Sequence, residues 1–443
     1  MIRFFLACAA LLCSLFQVNA QIDIENRIKN KVNQRVENKI DRSIDKTLDK
    51  TEEEAEKAAK GEGKKDKNES TKSEENSPGS KESTSSPDAK ATSPEKTSLK
   101  TYGKFDFIPG DKIVLYEDFT GIVQGDFPAD WNTNTSAEIV KADGREGNWL
   151  MMPKEGVFLP EYITDLPENF TFQFDLLCNE DFNYYSSGFI MSFSPSPERA
   201  SLSQFGRFGH TSHMVRVVMH PNGNGGSGSV DFTNYDGERK EINSSSLSTQ
   251  QFNVPANTYA KVSVWRQKQR LRMYINEEKV LDIPRAFDAT QKYNTVSFAN
   301  GGFGSTEDRY LITNLRLAAG APDTRSKLIT EGKLVTRGIL FDSGSDKIKP
   351  ESYGTLKDIA NVLTENGDVR VRIIGHTDSD GDDKVNLDLS KRRADAVKEA
   401  LTKEFGVNTS RMDADGKGEA EPSDRNDNAS GKANNRRVEF VKL

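Results

Sequence analysis

The chain has 443 residues and a formal charge of −7, with a sequence pI near 5.5. A single core does not grow to that length, so two folded domains plus non-globular segments are expected. The acidic balance argues against a general nucleic-acid binder, which needs a basic footprint, and a hydrophobic content of 35% with mean hydropathy −0.69 implies that part of the length never packs.

Residues 1–20, MIRFFLACAALLCSLFQVNA, carry one early Arg3, an apolar stretch of about a dozen residues and a small-residue end at Val18-Asn19-Ala20. This reads as a secretory signal peptide cleaved after Ala20, so the chain is expected to be exported. Lipid attachment fits poorly, because Leu12 before Cys13 is large and Cys8 sits too early. The remaining cysteine, Cys178, shares a period-2 apolar face with Phe170, Phe172, Phe174 and Leu176, and is expected in the core.

Within residues 21–50, Ile24, Ile28, Val32, Val36, Ile40, Ile44 and Leu48 recur every fourth position. On a helix that row spirals instead of forming a heptad seam, leaving two readings open: a helical spacer, or a coiled-coil-like segment through which copies oligomerise. Residues 51–103 are dominated by Glu, Lys, Ser, Thr, Pro and Gly, a composition expected to stay a disordered linker.

From 104 to 320 the pattern becomes all-β. Strands such as KIVLYEDF, FTFQFDLL, HMVRVVM and YLITNLRL alternate with Gly, Pro, Asn and Asp clusters. Many punctuated strands without helices predict a jelly-roll-like sandwich. Asn276-Glu277 is placed where a tight hairpin turns. From 325 to 443 strands alternate with helices, predicting a compact α/β domain. Its expected elements are a strand at RGILF, a helix striped by Tyr353, Leu356, Ile359 and Leu363, and a strand at VRVRII. A long helix from Val385 and a closing strand at RRVEFVKL complete it.

Metal chemistry finds little purchase. DSDGDD at 378–383 does not meet EF-hand spacing in either register, and both it and Asp413-Ala414-Asp415-Gly416 read as solvated acidic turns. His376 has no cysteine beside it. The set His210, His213 and His220 lacks a supporting cysteine or HExxH helix. No metal or cofactor is expected.

The helix that follows is more informative. Projected at 100° per residue, Leu389, Ala394, Ala396, Val397, Ala400 and Leu401 share one arc, and Arg393 lies inside it. A charge there is costly unless paired. Asp378, just past VRVRII, is the upstream anion expected to converge with it. Two readings stand: an internal ion pair, or a carboxylate and a guanidinium held apart to receive a ligand bearing both an ammonium and a carboxylate.

Residues 337–443 resemble the OmpA-like peptidoglycan-binding domain of bacterial envelope proteins. The likeness rests on GHTD at 375–378, N-x-x-L-S-x-x-R-A at 386–394, G-x-G-E at 416–419 and N-x-x-x-x-G-x-A-x-N-R-R-V-E at 426–439. Departures are Lys432 where Arg is usual, Asn428 where Thr is common, and the extra acid in DSDGDD. The resemblance implies binding of the diaminopimelate of murein stem peptides. By it, Asp378 holds the ammonium and Arg393 the carboxylate; Thr377 and Asn386 line the groove; Arg436 is a second donor; Asp342 is a weaker candidate. It also implies a periplasmic location against the wall and outer membrane. The region 104–320 resembles, more loosely, the concanavalin- or laminin-G-like sandwiches that precede such domains in Bacteroidota envelope proteins.

A non-enzymatic wall tether is therefore expected, with peptidoglycan as partner. The rival is an adhesin whose sandwich binds glycans or outer-membrane proteins while the C-terminal domain only anchors it. A sandwich glycosidase needs paired carboxylates, and the E-x-D-x-x-E signature is missing. The short strands do not form the recurring pattern of a membrane barrel.

Overall fold

The strand Asn169–Cys178 sets the plan of the larger region: its alternate residues Phe170, Phe172, Phe174 and Leu176 are fully buried, with Cys178 3% exposed on the same face. The computed structural model describes residues 105–443, apart from 154, 184, 197, 223–225, 303–307 and 321–322. The signal, repeat and linker expectations lie outside the described residues.

Two antiparallel sheets hold this region. In neighbour order the first runs Glu278–Ile283, Arg270–Ile275, Tyr259–Gln267, Asn169–Cys178, Tyr310–Ala319, Trp149–Met152 and Glu138–Val140, with Lys112–Glu117 also paired to Tyr310–Ala319. The second runs Arg239–Thr249, Gly228–Asp236, Val215–His220, Phe189–Ser194, Thr295–Asn300, Gly156–Pro160 and Trp131–Thr133. Their facing sides share one core, in which Phe172 meets Phe193 at 6.2 Å and Phe174 meets Phe298 at 5.3 Å between ring centroids. Trp131, Trp149 and Trp265 are all buried. The hairpin turn falls at Asn276-Glu277, where Asn276 takes φ 52°, a left-handed conformation that Asn tolerates.

The C-terminal domain is a four-stranded sheet in the order Lys333–Thr336, Val438–Lys442, Val371–His376, Met412–Gly418. Val371–His376 is antiparallel to the closing strand and parallel to Met412–Gly418. Three helices accompany it: α1 (Tyr353–Glu365), α2 (Asp383–Lys403) and α3 (Ala429–Asn435). Leu356, Ile359 and Leu363 of α1 and Ala394, Val397, Ala400 and Leu401 of α2 enter one aliphatic core with Val371, Ile373 and Phe440. Asp382 caps α2, its carboxylate accepting from the Lys384 and Val385 amides.

Two local expectations are corrected. RGILF is not a strand: pairing ends at Thr336, and Phe341 makes only an isolated bridge to Ile348. Arg337 donates to the carbonyls of Asp111 and Asn434, drawing the chain off the sheet. Asp413-Ala414-Asp415-Gly416 is not a turn but the middle of the Met412–Gly418 strand, because Met412 and Ala414 pack toward the core while Asp413 points outward.

The other face of Asn169–Cys178 is buried as well, with Thr171, Gln173 and Asp175 between 1% and 8% exposed. The segment from Phe105 and the C-terminal domain cover it. Asn434 of α3 accepts from the Ile113 amide at 3.1 Å and donates to the Ile113 carbonyl at 2.9 Å. Ser430 accepts from the Tyr116 amide at 2.8 Å. The free edge of Lys112–Glu117 is thus capped by side chains, which removes an exposed strand edge.

Candidate functional site

The groove forms where α2 crosses the C-terminal ends of two parallel strands. That crossing is close: a Cβ on Gly375 would stand 2.1 Å from the Ser390 carbonyl oxygen, and one on Gly416 2.4 Å from the Lys391 amide nitrogen. Any side chain at either position would push the helix away, so these glycines bring α2 down onto the strand ends.

Asp378 follows the Val371–His376 strand and is 8% exposed. Its Oδ2 lies 2.5 Å from Arg436 Nη1. The segment carrying it is therefore not a solvated turn throughout: Asp378 is buried, while Asp380, Asp382 and Asp383 are exposed, Asp380 paired to Lys432 at 2.7 Å and Asp382 serving as a helix cap. The inner acid was legible only as one of a run because its burial comes from α2 and the closing strand.

Arg393 projects from α2 as its position in the apolar arc requires, and it is half-buried. Its Nε donates to the Ser345 carbonyl at 2.9 Å and its guanidinium lies 4.9 Å from the Phe341 ring centroid. No carboxylate lies within ion-pair distance of it among the described residues. Burial lowers its pKa, the Asp378 charge opposes that shift, and the Arg436 charge adds to it. Asp378 and Arg393 thus share one field without closing on each other.

The remaining predicted residues divide. Asn386 donates to the carbonyls of Asp378 and Asp380 and to Glu419 Oε2 at 2.5 Å, so it shapes the loop that presents Asp378. Thr377 is buried, its amide bonded to the Gly418 carbonyl and its hydroxyl without a partner. Asp342 stands apart: it pairs with Lys347 at 3.4 Å, in the turn whose Ser345 carbonyl receives Arg393. Behind the groove Arg437 and Glu439 bond at 2.9 Å, both about 5% exposed, with Lys333 at 2.8 Å and His376 at 3.7 Å from Glu439.

Sequence reasoning missed Phe341, Glu419 and, on the far wall, Tyr116, whose ring lies 5.7 Å from the Arg436 guanidinium. Glu419 closes the G-x-G-E block and was visible as a motif residue without a role. Tyr116 had no signal, since its place depends on how the two regions dock. Among the described residues no cluster of His, Cys, Asp or Glu is arranged for a metal, and no helix is long and apolar enough to cross a membrane.

Fold and site together define a class: a four-stranded sheet with helices against it that sets the buried Asp378 beside Arg393 and Arg436 at one end of the sheet. Residues 340–436 match the OmpA family, and the C-terminal domain belongs to that family. Outer membrane porin F of Pseudomonas aeruginosa is 40% identical over 111 residues, which make up 25% of this chain and 32% of that protein. The probable lipoprotein YiaD of Escherichia coli is 46% identical over 103 residues, 23% of this chain and 47% of the relative. The chain therefore spans less than half the length of these curated relatives. The crystal structure of the peptidoglycan-associated lipoprotein from Burkholderia pseudomallei is similar at 30% identity, covering 24% of this chain and 88% of that one, with a TM-score of 0.23.

Proposed function

We propose that the chain is an exported, non-enzymatic envelope protein whose C-terminal domain, within 325–443, binds peptidoglycan and tethers what precedes it to the cell wall. In this reading residues 104–320 form a concanavalin/laminin-G-like sandwich and the N-terminal segments serve as signal and spacer. The observation that carries it is Arg393: a half-buried guanidinium in the field of Asp378, bonded to a backbone carbonyl and to no acid among the described residues.

A diaminopimelate side chain presents an ammonium and a carboxylate on one carbon, matching Asp378 and Arg393. Arg436 already neutralises Asp378 and shares it with the incoming ammonium, while the unpartnered Thr377 hydroxyl offers a further polar contact. Each charge-assisted contact contributes about 1.5–3 kcal/mol before ordering costs. Modest affinity suffices, because a polymeric wall repeats the ligand and raises its effective concentration.

The test is sedimentation of the full chain with purified murein sacculi. The wild type is expected in the pellet; Arg393→Ala and Asp378→Ala are expected in the supernatant, with circular-dichroism spectra that show both variants still folded at the assay temperature. Pelleting of the double variant at wild-type levels would refute the site. The glycan-adhesin reading has less to draw on, because Trp131, Trp149 and Trp265 are buried and offer no face for a sugar to stack upon.

A further inference from the structure

The Asp378–Arg393 groove does not end within the C-terminal domain. It opens into a cavity of about 370 Å³ whose far wall belongs to the first sheet of the preceding region, through Tyr116, Asp175, Asn314 and Arg316. Arg436 joins the two spaces, one side bonded to Asp378 and the other set against the Tyr116 ring.

Cations outnumber acids in this lining, with Arg316, Arg337, Arg393 and Arg436 set against Asp175 and Glu351. Both acids are already committed. Asp175 accepts from the Tyr259 hydroxyl at 3.0 Å and from Asn314 Nδ2 at 2.6 Å, and Glu351 pairs with Lys261 at 3.6 Å. Arg316 is left over. It is 9% exposed, its Nη2 donates to the Arg337 carbonyl at 2.9 Å, and its Nε has no partner. Burial presses its pKa down to about 10, and the nearby charges of Arg337 and Arg436 add to that. It is still protonated at neutral pH. A buried guanidinium near other guanidiniums, with no carboxylate paired to it among the described residues, is unfavourable on its own; an anion entering the cavity relieves it.

We propose that this cavity is a second anion subsite, continuous with the Asp378–Arg393 groove, in which Arg316 receives a further carboxylate of the bound peptide. The proposal rests on the peptidoglycan reading and extends it: the ligand is a peptide with more than one free carboxylate, and the two-sheet region takes part in recognition instead of serving as passenger. Ligand pockets run to about 300–1,000 Å³, so this one has room for roughly one or two amino-acid residues beyond the group held by Arg393.

The experiment is calorimetric titration of the full chain with two probes, meso-diaminopimelate alone and the tripeptide L-Ala-γ-D-Glu-meso-diaminopimelate. The wild type is expected to bind the tripeptide more tightly by on the order of tenfold, the worth of one charge-assisted contact. Arg316→Gln is expected to erase that preference while leaving the affinity for diaminopimelate unchanged, without lowering the melting temperature. A preference retained by Arg316→Gln, or equal weakening of both probes, overturns the subsite and leaves the Asp378–Arg393 reading standing. Failure of the wild type to bind either probe overturns that reading, and this one with it. Should Arg316→Gln not fold, Arg316→Lys decides: it keeps the charge but loses the planar fork, so a reduced preference supports the subsite and an unchanged one refutes it.

Discussion

The two regions solve the burial problem with different chemistry. The two-sheet core is built on rings: Phe298 alone lies within 6.2 Å of Trp131, Phe172, Phe174 and Phe189 by centroid. The C-terminal core is aliphatic, with Phe440 as its one fully buried ring among the described residues, and beside it lies the buried pair of Arg437 and Glu439, which the exposed Lys333 reaches from outside and the buried His376 ring flanks. The first region closes exposed charges on one another, as in the fork of Arg270 on Asp282 at 2.6 and 2.7 Å, and turns its buried Arg216, Arg266 and Arg316 onto backbone carbonyls. In the second, Arg393 stands in the field of Asp378 with no acid within ion-pair distance among the described residues. Rings supply stability that involves no titrating group; a collected charge network supplies a place where a charged ligand can be exchanged for a charged partner.

That contrast can be broken from either side. The largest effect is expected from Phe298→Ala, which empties the meeting point of several rings and should cost about 3–5 kcal/mol, read as a lower urea midpoint for the two-sheet region. Arg437→Met removes the buried cationic partner of a buried carboxylate and should cost about 3 kcal/mol, confined to the C-terminal domain in hydrogen exchange. The same network sets an acid limit. Burial would raise the Glu439 pKa, but the donors facing it, His376, Lys333 and Arg437, outweigh burial and hold it well below the usual carboxylate range. A depressed folded pKa contributes stability that is fully present above the unfolded value, about 4.3, and is lost as pH falls beneath it. The C-terminal domain should therefore loosen before the two-sheet region between about pH 4 and pH 2, and Glu439→Gln should flatten that decline.

Smaller changes sharpen the boundary between the regions. Asn434→Ala deletes both bonds to the Ile113 backbone and one to Asp424. It should cost about 1–3 kcal/mol, with faster amide exchange along Lys112–Glu117. Asp380→Ala breaks only an exposed pair with Lys432 and should change stability by less than about 0.5 kcal/mol in the same urea series.

How much was legible follows from which contacts are local. The helix stripes of Tyr353–Glu365 and Asp383–Lys403 and the hairpin turn at Asn276 are written in neighbouring residues, and were readable for that reason. The strand misplaced at RGILF and the strand hidden in Asp413–Gly416 failed because their pairing partners lie far along the chain. At the site, the placing of Arg393 among apolar positions pointed to a constrained charge. That Arg436, not Arg393, would take Asp378 depended on where the closing strand begins.

By itself the amino-acid order determined the periodicities, the change from strand-rich to mixed texture near residue 325 and the presence of a charge on a greasy helix face, since all of these are properties of residues close together. Only the tertiary structure decided which charges are neutralised, which are left open and what lies across from them. Ile113 and Asn434 are 321 positions apart yet share two hydrogen bonds, and Arg316 reaches the cavity only because that docking holds. Electrostatic fate is set by distance and dielectric after folding, and neither quantity exists in a linear string.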